Sequence, residues 1–177
     1  MFVEGSRADD YSGFGRHVGD MAAARNDLGG VQFAEVSVDT ETGAIRVERV
    51  VAVQDCGRQM NPKLIESQVQ GGVLMGISYA LLEERVIDRH TGRMVNANLE
   101  QYKLICPCDT PSIEVIVLEN YQGQSATDAY GIAEPSNIAT APAIANAVFN
   151  AIGARVRELP MTAATVLASL GRLPRRS

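Results

Sequence analysis

Apolar and polar positions alternate from Val31, through Phe33, Val36 and Val38, until Asp39-Thr40-Glu41-Thr42-Gly43 interrupts them; they then resume as Ile45, Val47, Val50, Val51 and Val53. A two-residue period broken by a polar, glycine-closed stretch predicts a β-hairpin. Gly43 is expected to supply the positive φ of its turn, and Arg46, Glu48 and Arg49 to face water. The period changes after Asn61-Pro62, a helix-start pair in which Asn accepts from free amides and Pro is preset for the first helical position. A helix over 62–83 follows, with the stripe Ile65, Val69, Gly72, Val73, Gly76, Ile77 and Ala80. Gly71, Gly72 and Gly76 each cost that helix about 1 kcal/mol against alanine. Close approach of a sheet or a cofactor is the expected compensation.

Short extended runs then alternate with turn residues. Arg85-Val86-Ile87 and Ile113-Glu114-Val115-Ile116-Val117, separated by Thr91-Gly92 and Asp109-Thr110-Pro111, predict two or three strands over 84–120. An irregular stretch from 120 leads to Thr140, read as the cap of a helix over 141–152 that stops at Gly153, with Ile144, Val148 and Ile152 as core positions. Thr162 is expected to cap a last helix ending at Gly171. Strands and helices without a regular βαβ repeat predict an α+β fold, mixed sheet layers with packed helices. Residues 1–30 show neither period. They read as a Gly-rich irregular segment, either a mobile tail or a loop region packing on a missing or partner portion; the second is favoured, because Gly13-Phe14-Gly15 and Gly29-Gly30 suit close backbone approach. The main domain is placed at 31–177.

Composition narrows the function classes more than it names one. A formal charge of -5 and the lack of any basic run with interleaved aromatics argue against nucleic acid as a partner. No stretch approaches the roughly 20 apolar residues of a spanning helix, so membrane insertion is not expected. Three cysteines and two histidines lack the spacing of a zinc or iron–sulfur site, and the thiols read as reduced. Strict dinucleotide and P-loop glycine patterns are absent.

Two stretches could carry chemistry. The first is Asp128-Ala129-Tyr130-Gly131-Ile132-Ala133-Glu134-Pro135-Ser136-Asn137, directly ahead of a helix. Pro135 is expected to hold Glu134 extended, aiming one carboxylate between apolar neighbours. A carboxylate held among apolar groups titrates nearer neutrality and serves as a general base. The plainer alternative has Glu134 capping the next helix or pairing with an arginine. The second stretch is Gln68-Val69-Gln70-Gly71-Gly72-Val73-Leu74-Met75-Gly76, where helix-on-sheet packing with solvated glutamines competes with a ligand-facing role. Asp55-Cys56-Gly57-Arg58 reads as a structural turn, since no nearby histidine could activate Cys56.

Five segments in this order resemble the C-terminal part of the molybdopterin-binding large subunit of the xanthine dehydrogenase/aldehyde oxidase family. They are Val53-Gln54-Asp55-Cys56-Gly57-Arg58 with Asn61-Pro62; Gln68-Val69-Gln70-Gly71-Gly72; Ala80-Leu81-Leu82-Glu83-Glu84; Gly131-Ile132-Ala133-Glu134-Pro135; and Ala141-Pro142-Ala143-Ile144-Ala145-Asn146-Ala147. Leu99-Glu100-Gln101-Tyr102-Lys103 and Arg155-Val156-Arg157-Glu158-Leu159-Pro160 bring it nearest to bacterial aldehyde oxidases. The resemblance implies the second molybdopterin-binding domain of a molybdenum hydroxylase, oxidising aldehydes or hydroxylating heterocycles with water-derived oxygen. It places Glu134 at the family's catalytic general base, Gln68, Gly71, Gly72, Met75 and Gly76 beside the pterin, and Ile132 and Ala133 beside the metal. No residue of this chain is expected to ligate molybdenum. Ala133 departs from the family's usual glycine, and Met75 from a frequent glutamine.

The implied cofactor is molybdenum–molybdopterin, in a cytosine dinucleotide form, with [2Fe-2S] clusters and FAD on other subunits. The implied partners are the front part of the molybdopterin-binding subunit, an iron–sulfur subunit and an FAD subunit. The compartment is the cytoplasm, or the periplasm where a partner carries the export signal. A truncated relic or binding module, with the fold but without the cofactor, is the competing reading.

Overall fold

The computed structural model describes residues 29–119 and 128–174. The expectations for 1–28, Gly13 and Gly15 among them, lie outside these. The hairpin forms as expected, from β1 (Gly30–Val38) and β2 (Ile45–Asp55) in antiparallel register. Gly43 adopts φ +78. The Asp39 carboxylate accepts from the amides of Glu41 at 2.8 Å and Thr42 at 3.2 Å. The Glu41 amide contributes most to holding the Asp39 carboxyl below its ordinary value, with the Thr42 hydroxyl next.

The register shifts at Glu35/Val36, so that Arg49 pairs with Glu35 while Val47 pairs with Val36. The extra residue changes the inward phase of β2: Val47, Val50, Ala52 and Gln54 are buried, while Val51 and Val53 turn to the other face.

Of the strands expected over 84–120, one forms: β3 (Ser112–Leu118), parallel to β2 and completing a mixed sheet of order β1-β2-β3. The Arg85-Val86-Ile87 run makes a single bridge, Ile87 with Met94, around a turn closed by Gly92 at φ +69. Asn96 takes the place of a longer ladder, its carboxamide accepting from Val86 N at 3.0 Å and donating to Glu84 O at 2.7 Å.

Helix α1 (Pro62–Leu81) starts as read: the Asn61 side chain accepts from Leu64 N at 3.1 Å. A four-residue helix α2 (Pro135–Ile138) appears inside the stretch expected to be irregular, and α3 (Thr140–Ile152) follows it. Thr140 is not the cap of α3. It is the first helical residue, and its hydroxyl donates to Gln32 Oε1 at 2.7 Å instead. Gly153 ends α3 at φ +69. Thr162 does cap α4 (Ala163–Ser169), accepting from Thr165 N at 3.3 Å.

The helices lie on one face of the sheet, α3 chiefly on β1 and α1 on β2 and β3. Between the layers sit Val50, Ala52, Val69, Val73, Ile77, Ala80, Ile144, Val148 and Val166. Each fully buried valine or isoleucine there contributes about 1.5–3 kcal/mol. The opposite sheet face carries Val31, Phe33, Ile116 and Leu118 exposed, with Val53 paired between Val31 and Ile116. None of the described residues forms a layer over it.

Candidate functional site

The end of β2 supports the candidate site. Gly57, at φ +67, bridges to Ala129, and a Cβ there would lie 2.1 Å from Asp128 O. Only glycine fits so close an approach. Two further bonds staple the segments together: Arg58 N donates to Asp128 O at 2.7 Å and Tyr130 N to Cys56 O at 2.9 Å. Asp55-Cys56-Gly57-Arg58 is therefore the structural turn expected of it, and it also carries the stretch leading to Glu134. Cys56 is buried. Burial, and then the Asp55 carboxylate, push its thiol upward, which keeps it neutral and weakly nucleophilic. Cys106 and Cys108 are exposed free thiols. No group of three or more potential metal ligands occurs among the described residues.

Glu134 departs from its expected geometry. Its backbone is αR, at φ -70 and ψ -42, rather than extended. The usual pre-proline bias is overridden by local hydrogen bonds: Ser136 Oγ donates to Ala133 O at 2.7 Å and Asn137 N to Glu134 O at 3.0 Å. The side chain makes no capping bond, and among the described residues neither ion pair involves it. Glu134 is exposed, and the described residues do not supply the apolar enclosure expected around it.

The other candidate residues fall into two groups. Gly72 and Gly76 are buried against the segment that follows Glu134: a Cβ on Gly72 would lie 2.0 Å from Ser136 Oγ, and one on Gly76 2.4 Å from Thr140 Cβ. Their close approach is to α2 and α3. Gln68 and Met75 lie on the exposed side of α1, and a Cβ on Gly71 would meet none of the described residues within 4 Å. Gln68 and Ile132 line one open cleft of about 270 Å³, together with Cys56, Leu64, Ile65 and Tyr130. Ala133 and Glu134 are exposed next in the chain. The structure thus brings Gln68 and Ile132 to one cleft, while Gly72 and Gly76 back the turn behind Glu134.

Sequence reasoning missed Gln32. Its carboxamide donates to Ser136 O at 2.6 Å and accepts from the Thr140 hydroxyl at 2.7 Å, tying β1 to both α2 and α3. The one signal was a polar residue on the inward phase of an otherwise apolar strand face.

Comparison with known proteins places this geometry. Residues 12–111 match the model of the molybdopterin cofactor-binding domain, a stretch that includes Gln68, Gly71, Gly72, Met75 and Gly76 and ends before Glu134. The chain is 42% identical over 131 residues to the aldehyde oxidoreductase molybdenum-binding subunit PaoC of Escherichia coli, covering 73% of this chain and 18% of that protein. It is 39% identical over 133 residues to the putative xanthine dehydrogenase molybdenum-binding subunit XdhA of the same species, covering 75% of this chain and 18% of that one. The chain thus spans about a fifth of the length of these relatives. Among solved structures, quinoline 2-oxidoreductase from Pseudomonas putida 86 superposes with TM-score 0.72 at 30% identity, over 78% of this chain and 18% of that one. The aldehyde oxidoreductase from Desulfovibrio desulfuricans does so with TM-score 0.72 at 29% identity, over 80% and 15%. With its mixed sheet, its one-sided helices and this match, the chain belongs to the molybdopterin cofactor-binding domain family of xanthine dehydrogenase and aldehyde oxidase type.

Proposed function

We propose that this chain is a component of a molybdenum hydroxylase that oxidises aldehydes, or hydroxylates heterocycles, with water-derived oxygen, and that Glu134 is its general base. The observation that carries this reading is the placement of Glu134. It is an exposed carboxylate with no capping bond, on a backbone held by Ser136 and Asn137 and backed by Gly72 and Gly76. A carboxylate that stands on a held backbone and is engaged by none of the described residues is free to accept a proton.

The residues present also fit the cofactor. Gly71 offers open space at the helix backbone, and the exposed Gln68 carboxamide can both donate to and accept from the edge of a pterin. Gln68, Gly71 and Met75 would then face the pterin and Ile132 and Ala133 would border the metal, while Gly72 and Gly76 act at one remove by seating the Glu134 turn. Bound there, molybdenum–molybdopterin, in its cytosine dinucleotide form, supplies two-electron redox chemistry. The Glu134 carboxylate would accept a proton from the water that supplies the oxygen.

The relatives, in names that call them molybdenum-binding subunits, are several times longer than this chain. The remaining walls of the pocket are accordingly assigned to the front part of the molybdopterin-binding subunit, and electron transfer to [2Fe-2S] and FAD subunits. The sheet face bearing Val31, Phe33, Ile116 and Leu118, which none of the described residues covers, supports such an assembly.

The test is co-purification of the tagged chain from its native host, with molybdenum analysis and identification of what accompanies it, followed by Glu134→Gln in the assembled enzyme. Molybdenum with a large-subunit partner, and a loss of about 100-fold or more in kcat for Glu134→Gln, is the expected result. A lone metal-free chain would establish the relic reading, and unchanged kcat would remove Glu134 from its role.

A further inference from the structure

Gln32 lies on β1, more than a hundred residues before Glu134 in the chain, yet its side chain reaches the turn that carries that carboxylate. Its amide nitrogen donates to Ser136 O at 2.6 Å, and its amide oxygen accepts from Thr140 Oγ1 at 2.7 Å. The orientation of the amide is set by chemistry: a backbone carbonyl can only accept, so the NH₂ must face Ser136 and the oxygen is left for the hydroxyl. Ser136 and Thr140 are fully buried, so neither group has water as an alternative partner.

These bonds act close to Glu134. Ser136 is two residues further on, and its own hydroxyl closes back on Ala133 O. Gly72 and Gly76 press on Ser136 and Thr140 from the α1 side. The turn is therefore gripped between β1 and α1, with the Gln32 side chain binding both α2 and the first residue of α3. We infer that Gln32 is a positioning residue for Glu134: by holding Ser136 and Thr140 it sets the direction of the 133–137 backbone and so the placement of the carboxylate. This rests on the reading of Glu134 as the general base.

The test uses the assembled enzyme, with kcat, KM and amide hydrogen exchange across residues 133–140 as readouts. Gln32→Leu lowers kcat by about 10- to 100-fold with KM little changed, because misplacement of a catalytic group by a fraction of an ångström acts on the chemical step. Exchange across 133–140 accelerates in the same variant. Val36→Ala, on the same inward face of β1, lowers stability but leaves kcat unchanged, which separates positioning from packing. Should Gln32→Leu fail to assemble, the Thr140 pair decides: Thr140→Val loses kcat and Thr140→Ser, which keeps the hydroxyl, restores it. Wild-type kcat and exchange in Gln32→Leu, or equal kcat in the two Thr140 variants, would overturn the inference. Such a result beside an inactive Glu134→Gln removes only the role of Gln32; a fully active Glu134→Gln removes the base itself.

Discussion

Helix α1 presents glycine on two sides, and the two sides do different work. On one, Gly72 and Gly76 are buried, and the space their side chains would fill is taken by Ser136, Asn137 and Thr140. On the other, a Cβ on Gly71 would meet none of the described residues within 4 Å, between an exposed Gln68 and a Met75 that is 52% exposed. All three glycines weaken the helix by a similar amount. Among the described residues, only two recover that loss, by letting α2 and α3 approach the α1 backbone. Gly71 recovers it, on the reading proposed above, when a cofactor comes against the exposed side.

The comparison breaks most readily on the buried side. Gly72→Ala places a methyl group within 2.0 Å of Ser136 Oγ and 2.8 Å of its Cβ, so the Glu134 turn must move. A stability loss of about 1–3 kcal/mol is expected, measured as a fall in the urea midpoint. Gly71→Ala should do the reverse: open space and better helix propensity give a gain of up to about 1 kcal/mol in the same measurement. Its cost appears instead as reduced molybdenum content of the purified complex. A Gly71→Ala protein with full molybdenum content would show that the open side is not a cofactor face. The smallest effect belongs to Met75→Gln, which restores the residue frequent in the resembled family. Its stability change should stay within about 0.5 kcal/mol, as for other exposed substitutions, while substrate preference shifts in kcat/KM.

The same division appears in the sheet. Val50 and Ala52 face the helices and are buried, whereas Val51 and Val53, equally apolar, turn to the face shared with Phe33 and Ile116. Counting apolar residues cannot separate the two sets, because the phase change comes from one extra residue in β2, opposite the step from Glu35 to Val36. An unpaired residue has no mark in a two-residue pattern.

Local chemistry was legible where a few neighbouring residues decide the outcome. The Gly43 turn, the Asn61 and Thr162 caps and the Gly153 stop could all be read along the chain, since each depends on a conformation or hydrogen bond within about four residues. The order of motifs likewise indicated the family. What lay beyond reach were relations across the fold. Pro135 argued for an extended Glu134, but bonds from Ser136 and Asn137 hold it helical. Thr140 looked like a cap until Gln32, 108 residues away, claimed its hydroxyl. The Arg85-Val86-Ile87 run had strand-forming residues and no partner strand beyond Met94. Hairpins, caps and stops are encoded by short-range geometry that the chain carries wherever it goes; the aim of Glu134, the use of Gly72 and Gly76, and the separation of a buried from an open side depend on which distant backbone arrives alongside, and only packing supplies that.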